Sequence, residues 1–150
     1  MGAEDLMPEV INSLGPPGVL VHGLAVKPGK PVVIGMVGEA LIFGLPGHPT
    51  SCLIMFWELV APVLRGGGER PASEGVRTRA RLTRNHPSRA GQEELAPVRL
   101  EEREGEWEAT PVLGPSALIS SLVRADGVVR VAAEAEGLYA GDVVEVELFG

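Results

Sequence analysis

The chain has 150 residues, which suits one mid-sized domain or two small ones, and its 45% apolar and 22% charged residues are ordinary for a globular protein. Its formal net charge of −7 argues against nucleic acid and anionic membranes as general partners. The single cysteine, Cys52, excludes an internal disulfide and favours a reducing compartment. The N-terminus lacks the features of a signal peptide and the apolar run 52–57 is too short to span a bilayer, so we expect a cytoplasmic protein.

The first part of the chain predicts helices next to very apolar strands. A helix over 5–14 has apolar residues at helical spacing and ends at Gly15. Strands follow at 19–26, 31–37 and 40–43, each apolar almost throughout. Such strands are typical of a sheet that is covered on both faces, so this part predicts an α/β fold.

A second helix is predicted from about Pro49 to Leu64, and it is apolar almost all round. The residues from Leu53 to Trp57 are apolar without interruption, so no single stripe accounts for them. A helix of this kind lies either in the centre of a large core or at a contact between subunits.

The polar segment 65–71 is interpreted as the boundary between a first domain, 1–70, and a second domain, 71–150. Beyond it, short strands with alternating apolar residues surround one short helix, 116–124, and predict a small all-β barrel or sandwich. Arginines face outward from the first of these strands and glutamates from the last. These charges predict that the two strands are neighbours.

The bend Gly44–Ser51, with the sequence GLPGHPTS, is a candidate anion site. Pro49 suits the first position of the following helix, where the amides have no partner within the helix. These amides and the Ser51 hydroxyl would cradle a phosphate or another oxyanion. Lys27 and Lys30, the only lysines among 13 basic residues, would complete the site from a Pro/Gly-rich loop. The alternative is an ordinary turn and two solvated lysines.

Other polar residues leave two interpretations open. Either His48 binds a ligand or moves protons, or it is a helix cap or a bystander; His22 and His86 look isolated. Asp5 is either a helix cap or a carboxylate of a metal or oxyanion site. A polar group in the second domain is either a functional patch or a helix cap followed by a turn; it comprises Ser116, Ser120, Ser121, Arg124 and Asp126.

In these stretches the sequence resembles the molybdopterin molybdenumtransferase (MoeA) family, to which the C-terminal part of gephyrin also belongs. Residues 22–31, HGLAVKPGKP, are close to the family's HGVAxKPGKP. Residues 44–51 are close to its GLPGNPVS, with His48 replacing Asn and Thr50 replacing Val. Residues 2–5, GAED, resemble the G-x-x-D that closes the family's glycine/serine motif. Its C-terminal domain is matched by residues 120–127, SSLVRADG, and 141–146, GDVVEV.

The resemblance implies insertion of molybdate into adenylylated molybdopterin, with Mg²⁺ and release of AMP, by a homodimer. It implies a three-layer molybdopterin-binding-like α/β segment followed by a small all-β barrel-like domain. By position, Asp5 would be catalytic and help hold the metal. Molybdate or the pterin phosphate would be bound by five residues, namely Lys27, Lys30, Gly47, His48 and Ser51.

The chain departs from the family pattern because it lacks the N-terminal domains and the acidic T-G-[DE] motif. Whether this chain alone is an enzyme therefore stays open, and we expect catalysis to need a further part such as a separate N-terminal polypeptide. Two alternatives are a non-catalytic dimerisation or scaffold domain and a general oxyanion-binding module.

Overall fold

An antiparallel three-stranded sheet follows the first helix in the computed structural model, which describes residues 6–66, 76–112 and 124–149. The helix α1 spans Met7–Ser13, within the predicted range. The next four elements are β1 (Pro17–His22), β2 (Val26–Lys27), β3 (Val33–Val37) and β4 (Ala40–Gly44). The sheet has the order β1-β3-β4, and β2 leaves it to join another sheet.

The helix α1 packs closely on this sheet because each strand carries a glycine beneath it. Ile11 is 1% exposed, and a Cβ atom on Gly35 would lie 2.6 Å from its Cγ2. A Cβ atom on Gly44 would lie 2.9 Å from Cγ of Met7. Side chains at these strand positions would hold the helix away from the sheet.

The expectation that the strand at 19–26 is buried on both faces is wrong. The strand ends at His22, and Leu20 and Val21 are 53% and 37% exposed. The described helix covers one face of an antiparallel sheet, so a continuous apolar run does not require two covered faces here. The described chain is mostly β, with few helices.

The second helix runs without interruption over the predicted residues. It consists of α2 (Pro49–Met55), a π-helical segment (Phe56–Val60) and α3 (Ala61–Leu64). Ile54 and Met55 are each 1% exposed, whereas Leu53 is 48% and Leu64 is 73% exposed. One side of the helix is therefore buried and the other is open. No described helix is long and apolar enough to cross a membrane.

The second part of the chain forms a closed five-stranded barrel, which confirms the barrel interpretation. The remaining strands are β5 (Arg77–Leu82), β6 (His86–Pro87), β7 (Glu93–Arg103), β8 (Glu106–Pro111), β9 (Gly127–Val131), β10 (Gly137–Leu138) and β11 (Val143–Leu148). The barrel order is β7-β8-β5-β11-β9, and β9 pairs back with β7. The strands β5 and β8 run parallel and the other barrel pairs are antiparallel.

The predicted neighbours β5 and β11 do pair. Arg77 lies opposite Glu147 in the antiparallel register, and its guanidinium lies 3.1 Å from Glu147 Oε1 and 3.0 Å from Glu145 Oε2. Partly exposed pairs of this kind contribute about 0.2–1 kcal/mol each, so they guide the register more than they hold the barrel.

The two parts of the chain meet in a shared apolar cluster. Val32, Ile54 and Met55 from the first part pack with Leu95 and Val128 of the barrel. In addition, β2 pairs in parallel with the first two residues of β7, Glu93 and Glu94. The boundary between domains 1–70 and 71–150 stays a prediction, since most of segment 65–71 lies outside the described residues.

Candidate functional site

The loop that carries both lysines is closed by backbone hydrogen bonds at its base. Gly23 N donates to Val32 O at 2.7 Å, and Val32 N donates to Gly29 O at 3.0 Å. Lys27 and Lys30 are both exposed. Among the described residues, Lys30 forms no ion pair with a carboxylate, whereas Lys27 pairs with Glu94.

The bend after β4 begins the second helix as predicted. His48 has extended backbone angles, Pro49 opens α2, and Cys52 N donates to His48 O at 2.8 Å. His48 makes no side-chain capping bond within the described chain, so it does not act as the expected cap. Gly47 and His48 are exposed, but Ser51 is only 7% exposed and lies largely beneath its neighbours.

The lysine loop lies directly against the helix that this bend begins. A Cβ atom on Gly29 would lie 2.5 Å from Met55 Sδ, so only glycine allows this approach. Met55 follows Ser51 by four residues, which is about one helical turn. The loop that carries the lysines therefore packs on the same helix that the Gly44–Ser51 bend begins.

A buried carboxylate, Glu94, was not singled out by the sequence. Its residue is 5% exposed, and its Oε1 accepts a hydrogen bond from Lys27 Nζ at 2.8 Å. Ser88 Oγ donates to Glu94 Oε2 at 2.6 Å, and His86 Nε2 lies 3.2 Å from Oε1. The expectation that His86 is isolated is therefore wrong, because β7 brings Glu94 beside it.

A sequence signal for Glu94 did exist. Glu94, Ala96 and Val98 occupy alternate positions of one strand, so their side chains point to the same face. Ala96 and Val98 are each about 1% exposed. A carboxylate in phase with buried apolar residues predicts a buried charge that needs partners. The identity of those partners depends on β2 and β6, which lie elsewhere in the chain.

The surroundings of Glu94 favour its charged form. Burial alone would raise the pKa of the carboxyl, but hydrogen bonds from Lys27 and Ser88, the Lys27 charge and His86 outweigh it and lower the pKa. Glu94 is thus a carboxylate under ordinary conditions and accepts from all three neighbours.

Acidification is expected to remove the contribution of Glu94 to stability. Because its pKa lies below the ordinary value of 4.5 in the folded chain, the contribution is complete above that value and is lost as the pH falls through the folded pKa. In urea titrations, the stability advantage of the wild type over Glu94→Gln should be constant near neutral pH and shrink in acid. An advantage that persists unchanged at about pH 3 would contradict this account.

A second charged cluster surrounds Arg130 on β9. Its guanidinium contacts Glu93, lies 2.8 Å from Glu58 Oε2 and lies 3.5 Å from Glu147 Oε2. Burial alone would lower the pKa of Arg130, but these carboxylates raise it. Arg130 also lines a cleft of about 300 Å³ between the π-helical segment and the barrel, and no predicted site residue within the described ranges lines it.

The remaining candidates divide between described and undescribed parts of the chain. Asp5, Ser116, Ser120 and Ser121 lie outside the described residues. Asp126 is described, and its Oδ2 accepts from Leu100 N at 2.7 Å while its own N donates to Val98 O at 2.9 Å. These bonds favour the turn interpretation of Asp126. Within the described ranges, no group of three or more His, Cys, Asp or Glu side chains is placed to hold a metal ion.

Comparison with known proteins separates the chain into two matched regions. Residues 1–66 match the family model described as "Probable molybdopterin binding domain", and residues 79–149 match the model described as "MoeA C-terminal region (domain IV)". The molybdopterin molybdenumtransferase of Bacillus subtilis is 27% identical over 149 residues, which cover 99% of this chain and 34% of that protein.

Solved structures show the same relationship. A molybdopterin biosynthesis MoeA protein from Pyrococcus horikoshii superposes with a TM-score of 0.81 at 40% identity, covering 97% of this chain and 35% of the other. A molybdenum cofactor biosynthesis protein from Pyrococcus furiosus gives a TM-score of 0.69 at 30% identity, covering 87% of this chain and 45% of the other. The chain thus spans about a third of the length of the Bacillus relative.

Proposed function

Since the chain belongs to the MoeA family and corresponds to its C-terminal part, we propose that it acts in molybdenum cofactor biosynthesis as the oxyanion-binding part of a molybdenum insertase. In the assembled enzyme, molybdate would be inserted into adenylylated molybdopterin. The chain would supply one side of the site, and N-terminal residues of the family's architecture, in the same polypeptide or in a separate one, would supply the rest.

The observation that carries this proposal is the contact between the lysine loop and the helix that begins at Pro49. Gly29, which lies between Lys27 and Lys30 in the chain, packs against Met55, six residues after the helix begins at Pro49. In a chain of net charge −7, an anion needs a local concentration of positive charge. Lys27 and Lys30, the only two lysines of the chain, would provide it.

These residues would act by binding and orienting charge. The ammonium groups of Lys27 and Lys30 would donate charge-assisted hydrogen bonds to molybdate or the pterin phosphate. Gly47, His48 and Ser51 would bind the same group from the bend, where exposed Gly47 lets a ligand approach the backbone. Holding the oxyanion in a fixed position lowers the barrier to transfer.

Mg²⁺ and the three-layer fold belong to the proposal as well. Asp5 would help hold Mg²⁺, but the described residues form no group that fits this ion, so no step is assigned to it. The exposed apolar side chains of the first sheet, Leu20, Val21 and Leu41, support a further layer in the assembled enzyme.

Replacement of either lysine by alanine is expected to weaken molybdate binding about tenfold, because a hydrogen bond to a charged group contributes about 1.5–3 kcal/mol and both ammonium groups are exposed. Isothermal titration of the full chain with molybdate measures this, with phosphate and sulfate as competing anions. Arg99→Ala is the matched control, since Arg99 is an exposed cation on the barrel that pairs with Glu101.

Unchanged affinity in both folded lysine variants would refute the oxyanion site. Equal affinity for molybdate, phosphate and sulfate would favour the general oxyanion-binding module instead. In either case the barrel and its pairing with β2 would be unaffected, because neither depends on ligand binding.

A second candidate function, dimerisation or scaffolding, is favoured by the open side of the second helix. Leu53, Val63 and Leu64 are 48%, 46% and 73% exposed, and such an apolar side suits a homodimer contact. Sedimentation velocity distinguishes the 15.8 kDa monomer from a species of twice that mass. A monomer at all accessible concentrations would contradict the dimer.

A further inference from the structure

We propose that Glu94 is a positioning residue of the oxyanion site: it holds the Lys27 ammonium from the protein side and leaves the solvent side free for the ligand. The inference rests on the proposed function, because it concerns how Lys27 is presented to an oxyanion.

The burial of the two partners differs sharply. The Glu94 side chain is 7% exposed, whereas that of Lys27 is 57% exposed. The two residues are also register partners, since Lys27 pairs with Glu94 where β2 runs parallel to β7. The pairing of β2 with β7 therefore places Lys27 beside the buried carboxylate of Glu94.

Glu94 is itself held in place by two further groups. Ser88 Oγ donates to Oε2 at 2.6 Å, and His86 Nε2 lies 3.2 Å from Oε1. Both carboxylate oxygens are thus engaged on the protein side. An anchored acceptor can fix a flexible lysine, whereas a mobile surface carboxylate would move with it.

The ammonium keeps donors to spare. Lysine has three N–H donors, and Glu94 accepts one of them. The other two remain for solvent or for an oxyanion on the exposed side. Lys30 has no such carboxylate among its described contacts, so the two lysines differ in their support.

Two effects of Glu94 on anion binding have opposite signs. Its negative charge repels an arriving oxyanion, and a purely electrostatic account predicts tighter binding after Glu94→Gln. If Lys27 is already held in place, ligand binding no longer has to order its side chain, and the conformational entropy lost on binding is smaller. Because Lys27 is more than half exposed and its surroundings are screened by water, we expect the ordering effect to dominate.

The test uses the full chain and exploits its two lysines. Labelling with ¹³C,¹⁵N-lysine gives side-chain NMR signals from Lys27 and Lys30 only, so Lys30 serves as the internal reference. In the wild type, the Lys27 ε-methylene should be more ordered than that of Lys30. Glu94→Gln should bring Lys27 to the mobility of Lys30 and weaken molybdate binding at least threefold.

A double substitution shows whether Glu94 acts through Lys27. Glu94→Gln should change molybdate affinity little when Lys27 is already alanine, because the group that it positions is gone. If Glu94→Gln fails to fold, Ser88→Ala decides instead. That variant keeps the charge of Glu94, loses one of its donors and should weaken binding in the same direction.

The possible results distinguish a failure of the positioning role of Glu94 from a failure of the proposed oxyanion-binding function. Unchanged or tighter molybdate binding by Glu94→Gln, with Lys27→Ala still impaired, would overturn the positioning role and leave the oxyanion function intact. If neither lysine variant is impaired, or if the wild type binds no molybdate, the proposed function fails and the positioning role fails with it.

Discussion

Replacing Ile54 with alanine is expected to lower the free energy of unfolding by about 2–5 kcal/mol, the usual cost of a cavity at a fully buried aliphatic residue. Ile54 is 1% exposed and belongs to the cluster in which the second helix meets Leu95 and Val128 of the barrel. Five side chains from both parts of the chain build this cluster, so neighbouring atoms have little room to collapse into the space.

Leu53→Ala is the matched control for this substitution. Leu53 precedes Ile54 in the same helix, but its side is open and the residue is 48% exposed. We expect this change to cost less than about 1 kcal/mol, because little apolar area is removed from contact. Urea denaturation followed by tryptophan fluorescence measures both variants. Equal effects at the two positions would show that the helix does not pack on the barrel as described.

The barrel could be predicted from the sequence because its signal is local. Alternation of apolar and polar residues identifies a strand and the face that is buried, and the outward charges of β5 and β11 identify them as neighbours. The start of the second helix could also be predicted from the sequence, because Pro49 restricts the backbone to angles that suit the first position of a helix.

The exposure of β1 could not be predicted in the same way. Its residues are apolar, but burial depends on what covers the sheet, and α1 covers one face among the described elements. An apolar run indicates that a strand is suited to burial, but it does not indicate whether both faces of the strand are covered. Leu20 and Val21 therefore remain exposed in a segment whose sequence favoured two covered faces.

The support of Lys27 was also beyond the reach of local patterns. Lys27 and Glu94 are 67 residues apart, and their contact depends on the parallel pairing of β2 with β7. No local sequence pattern around either residue predicts that the other is its partner. Local reasoning treated the two lysines together, whereas the structure shows that Lys27 is anchored on a buried carboxylate.

This difference refines how the proposed oxyanion site would work. Lys27 would offer a fixed donor, because its ammonium is tied to Glu94, while Lys30 would offer a mobile one. A fixed donor favours a defined ligand geometry, and a mobile donor tolerates several. Lys30 would then adapt to molybdate or phosphate while Lys27 sets the position of the bound group.

Replacing Gly127 with alanine is expected to destabilise the barrel by about 3 kcal/mol or more, at or above the upper end of the usual cost of overpacking. Gly127 begins β9 and pairs with Leu148 on one side and Val98 on the other. An added Cβ atom would overlap the carbonyl oxygen of Glu147 and lie 3.0 Å from Val146 Cγ1. A backbone oxygen within a paired strand cannot move aside as the end of a flexible side chain can.

The control for Gly127→Ala is Gly47→Ala, because a Cβ atom on Gly47 would meet nothing within 4 Å. We expect this change to alter the free energy of unfolding by less than about 0.5 kcal/mol, as for most exposed substitutions. A small effect at both glycines in urea denaturation would show that β9 and β11 lie farther apart than described. A large effect at Gly127 alone would mean that the glycine ending the SSLVRADG motif is required for barrel closure, so its presence there needs no ligand to explain it.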